Sequence, residues 1–196
     1  MHPSANEMEV RRMQRTGERG ANALGSELVL RVEEPSEASP EAVYEVLCDL
    51  RTHLRWAGEQ QRPKTRLVSI EAPEGRAVVG TEFRTTGLDP MGTFSDRSVV
   101  TEAIPAKAFE FVTEAQLTTK KSRRIDWTNV HRFELELNAG GTRIVYTIRI
   151  VRISELTGML AMFKVPVLRG VALKASAGVA KRGVRNLARV AEGGTR

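Results

Sequence analysis

The segment from Leu156 to Glu192 constrains the fold more than any other part of this 196-residue chain. Apolar residues recur at helical spacing after Pro166, and basic residues gather on the opposite side. Pro166 suits a first helical turn and Gly193-Gly194 suits a helix end, so we expect a helix of about 25 residues and about 37 Å. The predicted apolar stripe consists of Leu168, Val171, Ala172, Ala175, Val179, Leu187, Val190 and Ala191.

The chain before this helix is dominated by strand patterns. Glu27–Glu33 alternates apolar and polar residues, and Ser39-Pro40-Glu41 is typical of a helix start. We expect the helix that begins at Pro40 to continue irregularly past Leu50 to Trp56. Further strands are predicted over Arg66–Glu71, Ala77–Gly87, Thr93–Ala103, Ala108–Ala115, Gln116–Lys121, Asp126–Leu137 and Thr142–Ile153.

This order of elements predicts an α+β fold. A long amphipathic helix needs a broad apolar partner, and the strands provide one. We therefore expect a curved antiparallel sheet wrapped around the C-terminal helix, with a cavity between them. Residues 1–26 are predicted to form a flexible polar tail and residues 27–196 a single domain.

The composition is typical of a soluble protein from a reducing compartment. The single cysteine, Cys48, excludes an internal disulfide, and its apolar helix predicts a buried thiol. The N-terminus lacks the apolar core of a secretory signal, and no stretch approaches the roughly 18 apolar residues of a membrane span. We expect a cytoplasmic protein.

The formal net charge of +6 arises after Leu156, where basic residues greatly outnumber acids. Its candidates for weak contact with an anionic membrane or RNA are Lys174, Lys181, Arg185 and Arg189. These side chains equally suit an ordinary solvated helix face. No aromatic residue lies between Lys164 and Arg196 to stack on bases, which disfavours RNA. No contact with DNA is expected.

Alternation in the last two strands predicts which side chains face inward. Trp127, His131, Phe133, Leu135 and Leu137 share one face of their strand, and Ile144, Tyr146, Ile148 and Ile150 share a face of the next. Pairing the two sets places Leu135 opposite Tyr146, Phe133 opposite Ile148 and His131 opposite Ile150. This predicts an apolar wall with two polar groups, His131 and the Tyr146 hydroxyl, as in a pocket for a hydrophobic small molecule.

The order and spacing of several segments resemble the START-related polyketide cyclase/dehydrase and lipid-transport (SRPBCC) superfamily. These segments are Ser39–Leu47 with Asp49 and Trp56, then Val79–Phe83, Val100–Phe111 and Gly140–Arg143, followed by the long helix. The resemblance covers Glu27 to Glu192. It implies a helix-grip fold and a deep cavity for hydrophobic ligands such as polyketides, sterols, lipids or quinones. It implies no particular reaction.

We therefore expect binding or transport of a hydrophobic small molecule. The predicted ligand-binding residues are Trp56, Phe83, Phe111, Trp127, His131, Phe133, Leu135, Tyr146, Ile148, Leu168, Val171 and Ala175. One alternative is a polyketide cyclase or dehydratase that uses His131 as acid or base and Tyr146 as a donor to a carbonyl. The other alternative is an interaction module that acts through the basic helix.

Other site chemistry has little support in the sequence. The three histidines show no metal-ligand spacing, and no nucleotide-binding or serine-hydrolase motif is present, so we expect no metal and no cofactor. Arg84 or Arg97 either enters the pocket to hold a carboxylate or carbonyl, or lies on the surface. Met159, Leu160, Met162 and Phe163 form a gate over the cavity mouth, a lip that touches a membrane, or ordinary packing.

Overall fold

The computed structural model of the protein describes residues 22–59 and 65–193. Within these residues, seven strands and two α-helices follow one another, with short helical turns at Leu50–Thr52 and Leu54–Glu59 (the latter π-helical) and at Gly158–Lys164. The strands and helices are β1 Leu28–Ser36, α1 Pro40–Cys48, β2 Arg66–Glu71, β3 Glu82–Asp89, β4 Gly92–Ile104, β5 Ala108–Thr119, β6 Arg124–Asn138, β7 Gly141–Ile153 and α2 Pro166–Ala191.

The strands form one antiparallel sheet in the order β1-β7-β6-β5-β4-β3-β2. Strands β2 to β7 pair in sequence, and β1 pairs with β7 at the other end. The C-terminal part of α2 packs on this sheet beside α1, and its buried side chains include Val184 and Leu187. The predicted fold class, an α+β helix-grip, is confirmed.

Helix α1 begins and ends where local chemistry dictates. The Ser39 hydroxyl accepts a hydrogen bond from the Ala42 amide (3.3 Å), and Pro40 occupies the first turn. The next turn begins at Asp49, whose carboxylate accepts from the Arg51 amide, so the chain continues irregularly as predicted. Cys48 is buried, as expected.

Two strand boundaries differ from the prediction. Strand β3 begins at Glu82, because residues 77–81 form a turn in which the Val78 amide donates to the Thr81 hydroxyl (2.9 Å). The two strands predicted on either side of Ala115 are one strand, β5. No glycine or proline interrupts β5, so the pleat and its alternation continue.

The predicted register between β6 and β7 is wrong by two residues, although the predicted faces are right up to Leu135; Leu137, near the end of β6, is 78% exposed. The strands pair as far as Asn138 and Gly141, which leaves a two-residue loop. The resulting pairs are Leu135 with Ile144, Phe133 with Tyr146, and His131 with Ile148. A shift of two residues preserves the inward face of a strand, which is why alternation alone did not reveal the error.

Helix α2 has its predicted start but packs along only part of its length. Leu187 and Val190 are buried as predicted, whereas Val171 is 56% exposed and Ala175 is exposed. The correction follows from the position of the helix: its second half lies on the sheet and α1, and its first half lies beside the turn at residues 158–164. The side chain of Leu168 lies outside the described residues.

A second, smaller hydrophobic cluster lies apart from the main core. It consists of Leu117, Ile125, Ile153 and Leu156. Leu160 and Phe163 pack against it, so ordinary packing describes these two side chains. Met162 is half-buried, and the side chain of Met159 lies outside the described residues.

Part of the predicted N-terminal tail contacts the sheet. The Asn22 side-chain amide donates to the Val151 carbonyl oxygen (2.9 Å). The Ala23 backbone amide donates to the Ile153 carbonyl oxygen (2.9 Å). These bonds attach residues 22–26 to β7. The remainder of the predicted tail, residues 1–21, lies outside the described residues.

The basic face of α2 is exposed but partly neutralised. Lys181 and Arg185 both pair with the buried Glu34 carboxylate, at 3.3 and 3.1 Å.

In the part of the chain that the structure describes, no helix combines the length and apolarity needed to cross a bilayer.

Candidate ligand cavity

A cavity of about 240 Å³ lies between the sheet and α2. Alternation turns side chains of β3 to β7 into it, and one face of α2 covers the opposite side. Its lining includes Phe83, Phe94, Phe111, Phe133 and Tyr146 from the sheet, Trp56 and Ala57 from the π-helical turn, and Val179, Ala180, Gly183 and Val184 from α2. Thr65, Arg66 and Leu67, at the start of β2, complete one side.

Stacked rings form the wall at β5, β6 and β7. The ring centroids of Phe111 and His131 are 4.7 Å apart with planes 15° from parallel, and those of Phe133 and Tyr146 are 4.5 Å apart at 24°. His131 also stacks on Tyr146 at 6.1 Å. Phe111 therefore covers one face of the imidazole, and Tyr146 contacts its Nδ1 edge.

His131 and Tyr146 are hydrogen-bonded to each other, with the Nδ1 atom 2.7 Å from the phenol oxygen. Burial lowers the pKa of His131 to about 3, and the nearby His53 acts in the same direction. Burial also raises the pKa of Tyr146. Both groups are therefore neutral at physiological pH.

His53 and Trp56 close the end of the cavity near α1. The His53 Nε2 atom donates to the Leu47 carbonyl oxygen (2.8 Å), and its ring lies 4.8 Å from that of Trp56. Burial lowers the pKa of His53 to about 4, although the Leu47 carbonyl and Asp49 oppose the shift. Trp56 is 7% exposed, and its indole Nε1 has no hydrogen-bond partner among the described residues.

Polar side chains cross the inner face of the sheet between the two hydrophobic clusters. We call Thr85, Asp96, Ser98, Thr113 and Asn129 the polar belt. Thr85 lies opposite Asp96, Ser98 opposite Thr113, and Thr113 opposite Asn129. All but Asn129 line the cavity. The belt therefore gives a largely aromatic cavity one polar side.

The hydrogen bonds of the polar belt are incomplete. The Ser98 and Thr113 hydroxyls lie 2.9 Å apart, and the Thr85 hydroxyl donates to Asp96 Oδ2 over a long 3.4 Å. The Oδ1 atoms of Asp96 and Asn129 are buried without a partner in the described chain. Burial raises the pKa of Asp96 to about 7, and the Thr85 bond only partly opposes this.

The structure places half of the predicted ligand-binding residues at the cavity: Trp56, Phe83, Phe111, His131, Phe133 and Tyr146. Trp127 packs against the second cluster, and Leu135 belongs to the main core. Ile148 does not line the cavity either. On α2 the prediction was one to two turns too early, because Val179 to Val184 line the cavity whereas Val171 and Ala175 face solvent.

The polar side of the cavity and His53 are absent from the predicted site residues. In β4, Phe94, Asp96, Ser98 and Val100 share a face, so alternation held the necessary signal. An aspartate on an otherwise inward face was overlooked because carboxylates are rarely buried. Of the two arginines left open, Arg84 is exposed on the outer face, and Arg97 pairs there with Glu82 (3.0 Å).

Comparison with known proteins shows a shared fold. No protein-family model and no curated protein match the sequence. Solved structures do match. An uncharacterised protein of Rhizobium leguminosarum has a TM-score of 0.60 and 15% identity, over 85% of this chain and 95% of that one. A protein of Thermus thermophilus has a TM-score of 0.57 and 16% identity, over 86% of this chain and 100% of that one. A protein of Rhodobacter sphaeroides has a TM-score of 0.57 and 15% identity, over 90% of this chain and 99% of that one.

Proposed function

We propose that the protein binds a hydrophobic small molecule in the cavity between its sheet and α2. The observation that carries this proposal is a cavity of about 240 Å³ with aromatic walls and a few polar groups. Sites of this composition suit ligands whose surface is mostly apolar. The resemblance to the START-related superfamily supports a ligand of polyketide, lipid or quinone type, and a role in binding or transport.

The protonation state of His131 favours binding over catalysis. An efficient general base has a pKa near the working pH, whereas burial holds that of His131 at about 3. Proton abstraction by this imidazole would therefore be strongly uphill. The stacked Phe111 ring and the hydrogen bond to Tyr146 also fix the position of the imidazole.

The first experiment looks for bound ligand. Purified protein is denatured and extracted with organic solvent, and the extract is analysed by mass spectrometry. In parallel, native mass spectrometry follows the folded protein after addition of excess fatty acid, quinone or aromatic polyketide. We expect a stoichiometric complex with at least one class, weakened in Val184→Phe, which narrows the cavity. Val171→Phe, on the exposed part of α2, is the matched control. No complex with any class would refute the proposal.

A cyclase or dehydratase is the second candidate, and the His131–Tyr146 pair supports it. With the proton on Nδ1, the imidazole donates to the Tyr146 oxygen, and the phenol hydrogen is free to reach a ligand carbonyl. The His131 Nε2 atom then carries a lone pair on the ring edge, where it could accept a proton.

This candidate has its own test, α-proton exchange of 2-tetralone in D₂O followed by NMR. Tetralone is an enolisable ketone of two fused rings. A catalytic role predicts α-proton exchange that is faster with the protein than in buffer alone. This exchange should be abolished in His131→Ala and slowed in Tyr146→Phe, while both variants stay folded. If the wild-type protein gives exchange only at the buffer rate, the cyclase or dehydratase candidate is refuted.

We also propose a cytoplasmic location, which the single buried thiol of Cys48 supports. A contact through the basic face of α2 has weaker support, because Glu34 already pairs with Lys181 and Arg185. Lys174 and Arg189 remain exposed on that face. Sedimentation with anionic vesicles at low salt tests this contact, and no binding would exclude it.

A further inference from the structure

The polar belt has more hydrogen-bonding capacity than its own side chains use. Asp96 makes one long bond to Thr85, and its Oδ1 atom has no partner in the described chain. The Asn129 Oδ1 atom, on the same inner face, is also without one. Buried polar atoms of native proteins almost always have partners, so an orphaned pair in one belt requires an explanation.

Both orphaned atoms of the belt are oxygens. The Asn129 amide oxygen, and the Asp96 carboxylate above its raised pKa of about 7, only accept hydrogen bonds and therefore need a donor. A rotation about the Asp96 Cβ–Cγ bond is soft and can turn either carboxyl oxygen toward the cavity. The missing partner is therefore a group with an O–H or N–H, placed at the belt side of the cavity.

Among the described residues, no side chain donates to either orphaned oxygen, although the Arg152 Nε atom is also buried without a partner. Arg84 and Arg97 flank Asp96 in the pairing of β3 with β4, but both guanidinium groups lie on the outer face of the sheet. On the inner face, the other titratable groups that line the cavity are His53, His131, Tyr146 and Arg66. The His53 Nε2 atom already donates to the Leu47 carbonyl oxygen, the Tyr146 oxygen is bonded to His131 Nδ1, and Arg66 is exposed.

The size and walls of the cavity limit what can carry this donor. An engineered cavity of about 150 Å³ holds one benzene ring, so about 240 Å³ corresponds to about ten ring carbons. Phe111, Phe133 and Tyr146 line the cavity, and aromatic rings pack favourably on the face or the edge of another ring. A flat ligand of one or two rings satisfies both conditions.

From this geometry we infer that the ligand is a hydroxylated aromatic molecule of one or two rings, whose hydroxyl donates to the Asp96 carboxyl. The inference rests on the proposed binding function and adds the ligand class and the residue that selects it. Trp56 lines the same cavity, and its Nε1 donor, without a partner among the described residues, is available to an acceptor on the same ligand.

Three naphthalene compounds separate the contribution of the hydroxyl to binding from that of the ring system. Isothermal titration with 2-naphthol, naphthalene and 2-methoxynaphthalene compares a donor, no polar group, and an oxygen that cannot donate. We expect 2-naphthol to bind roughly tenfold more tightly than either of the others, as for a hydrogen bond to a charged or strongly polar group. Asp96→Leu should remove this preference and leave naphthalene affinity unchanged or higher.

Asp96→Asn provides a second variant that preserves the shape of the side chain, in case the leucine does not fold. It keeps one acceptor oxygen, so the preference should shrink to a few-fold. Asp126→Asn, a carboxylate on β6 that pairs with Arg124 (2.8 Å) on the outer face, is the control and should keep the full preference.

The outcomes distinguish this inference from the proposed function. If all three compounds bind equally, or if Asp96→Leu retains the preference, the donor inference is overturned and hydrophobic binding stands. If a water molecule is the only partner of the Asp96 carboxyl, the three compounds should likewise bind equally. If none of the compounds binds, and the wider ligand screen also fails, both proposals are refuted together.

Discussion

The buried carboxyl of Asp96 should make the stability of this protein depend on pH in a direction opposite to that of an ordinary salt-bridged aspartate. Burial raises its pKa from 3.8 to about 7 in the folded state. Between these values the folded protein holds a proton that the unfolded chain has released. The free energy of unfolding therefore falls as pH rises through this range.

The magnitude follows from the size of the shift. One pKa unit corresponds to 1.36 kcal/mol, so a shift of about three units costs up to about 4 kcal/mol above pH 7. Asp96→Asn removes the ionisation and keeps the shape. The variant should match the wild type at about pH 4 and exceed its stability by about 2–4 kcal/mol at about pH 8.

Urea unfolding followed by circular dichroism measures this difference across the pH range. The histidines and other carboxyls titrate in both proteins, so their contributions largely cancel in the difference. Asp126→Asn controls for the loss of one carboxylate. A stability difference that is independent of pH, or an asparagine variant that is less stable at about pH 8, would refute the assignment of a raised pKa to Asp96.

Three further predictions test other parts of the structure. Phe133→Ala and Val184→Ala, at 2% and 1% exposure, should lower the free energy of unfolding by about 3–5 and 1–3 kcal/mol, whereas Val171→Ala should stay within about 0.5 kcal/mol; equal losses in chemical denaturation would contradict the described packing of α2. Gly141→Ala should cost about 1–3 kcal/mol or more, because its φ is +134° and a Cβ would clash with the Ser36 carbonyl oxygen, while a Cβ at Gly140 would meet only the Asn138 side chain, at 3.9 Å; thermal melts of the pair check this, and equal midpoints would count against it. Burial of neutral His131 predicts that the wild type loses stability relative to His131→Gln as pH falls from 6.5 toward about 4, by at most about 1.4 kcal/mol per unit; parallel pH profiles would show that the imidazole is not desolvated.

The sequence predicted the fold well because its signals are local and repeated. The proline start of α2, the cap at Ser39 and the alternation in β6 and β7 each depend on neighbouring residues only. The register of the last hairpin and the packed length of α2 depend on contacts between distant segments. A register shift of two residues leaves every side chain on its predicted face, so a single strand cannot report it.

The candidate site was predicted in part for the same reason. Aromatic residues at alternating positions, such as Phe111 and Phe133, indicate an inward face. Asp96 carries no such local signal, since its burial depends on Thr85 and on the covering helix. The segment of α2 that closes the cavity, Val179 to Val184, likewise follows from where the helix crosses the sheet.

The uneven packing of α2 means that one continuous helix behaves as two units. Its last three turns share the core and should open only with global unfolding, whereas its first turns bury little and can fray at small cost. Amide hydrogen exchange should therefore step up along the helix near Val179. A ligand could then enter past the loose end while the other end still secures the sheet.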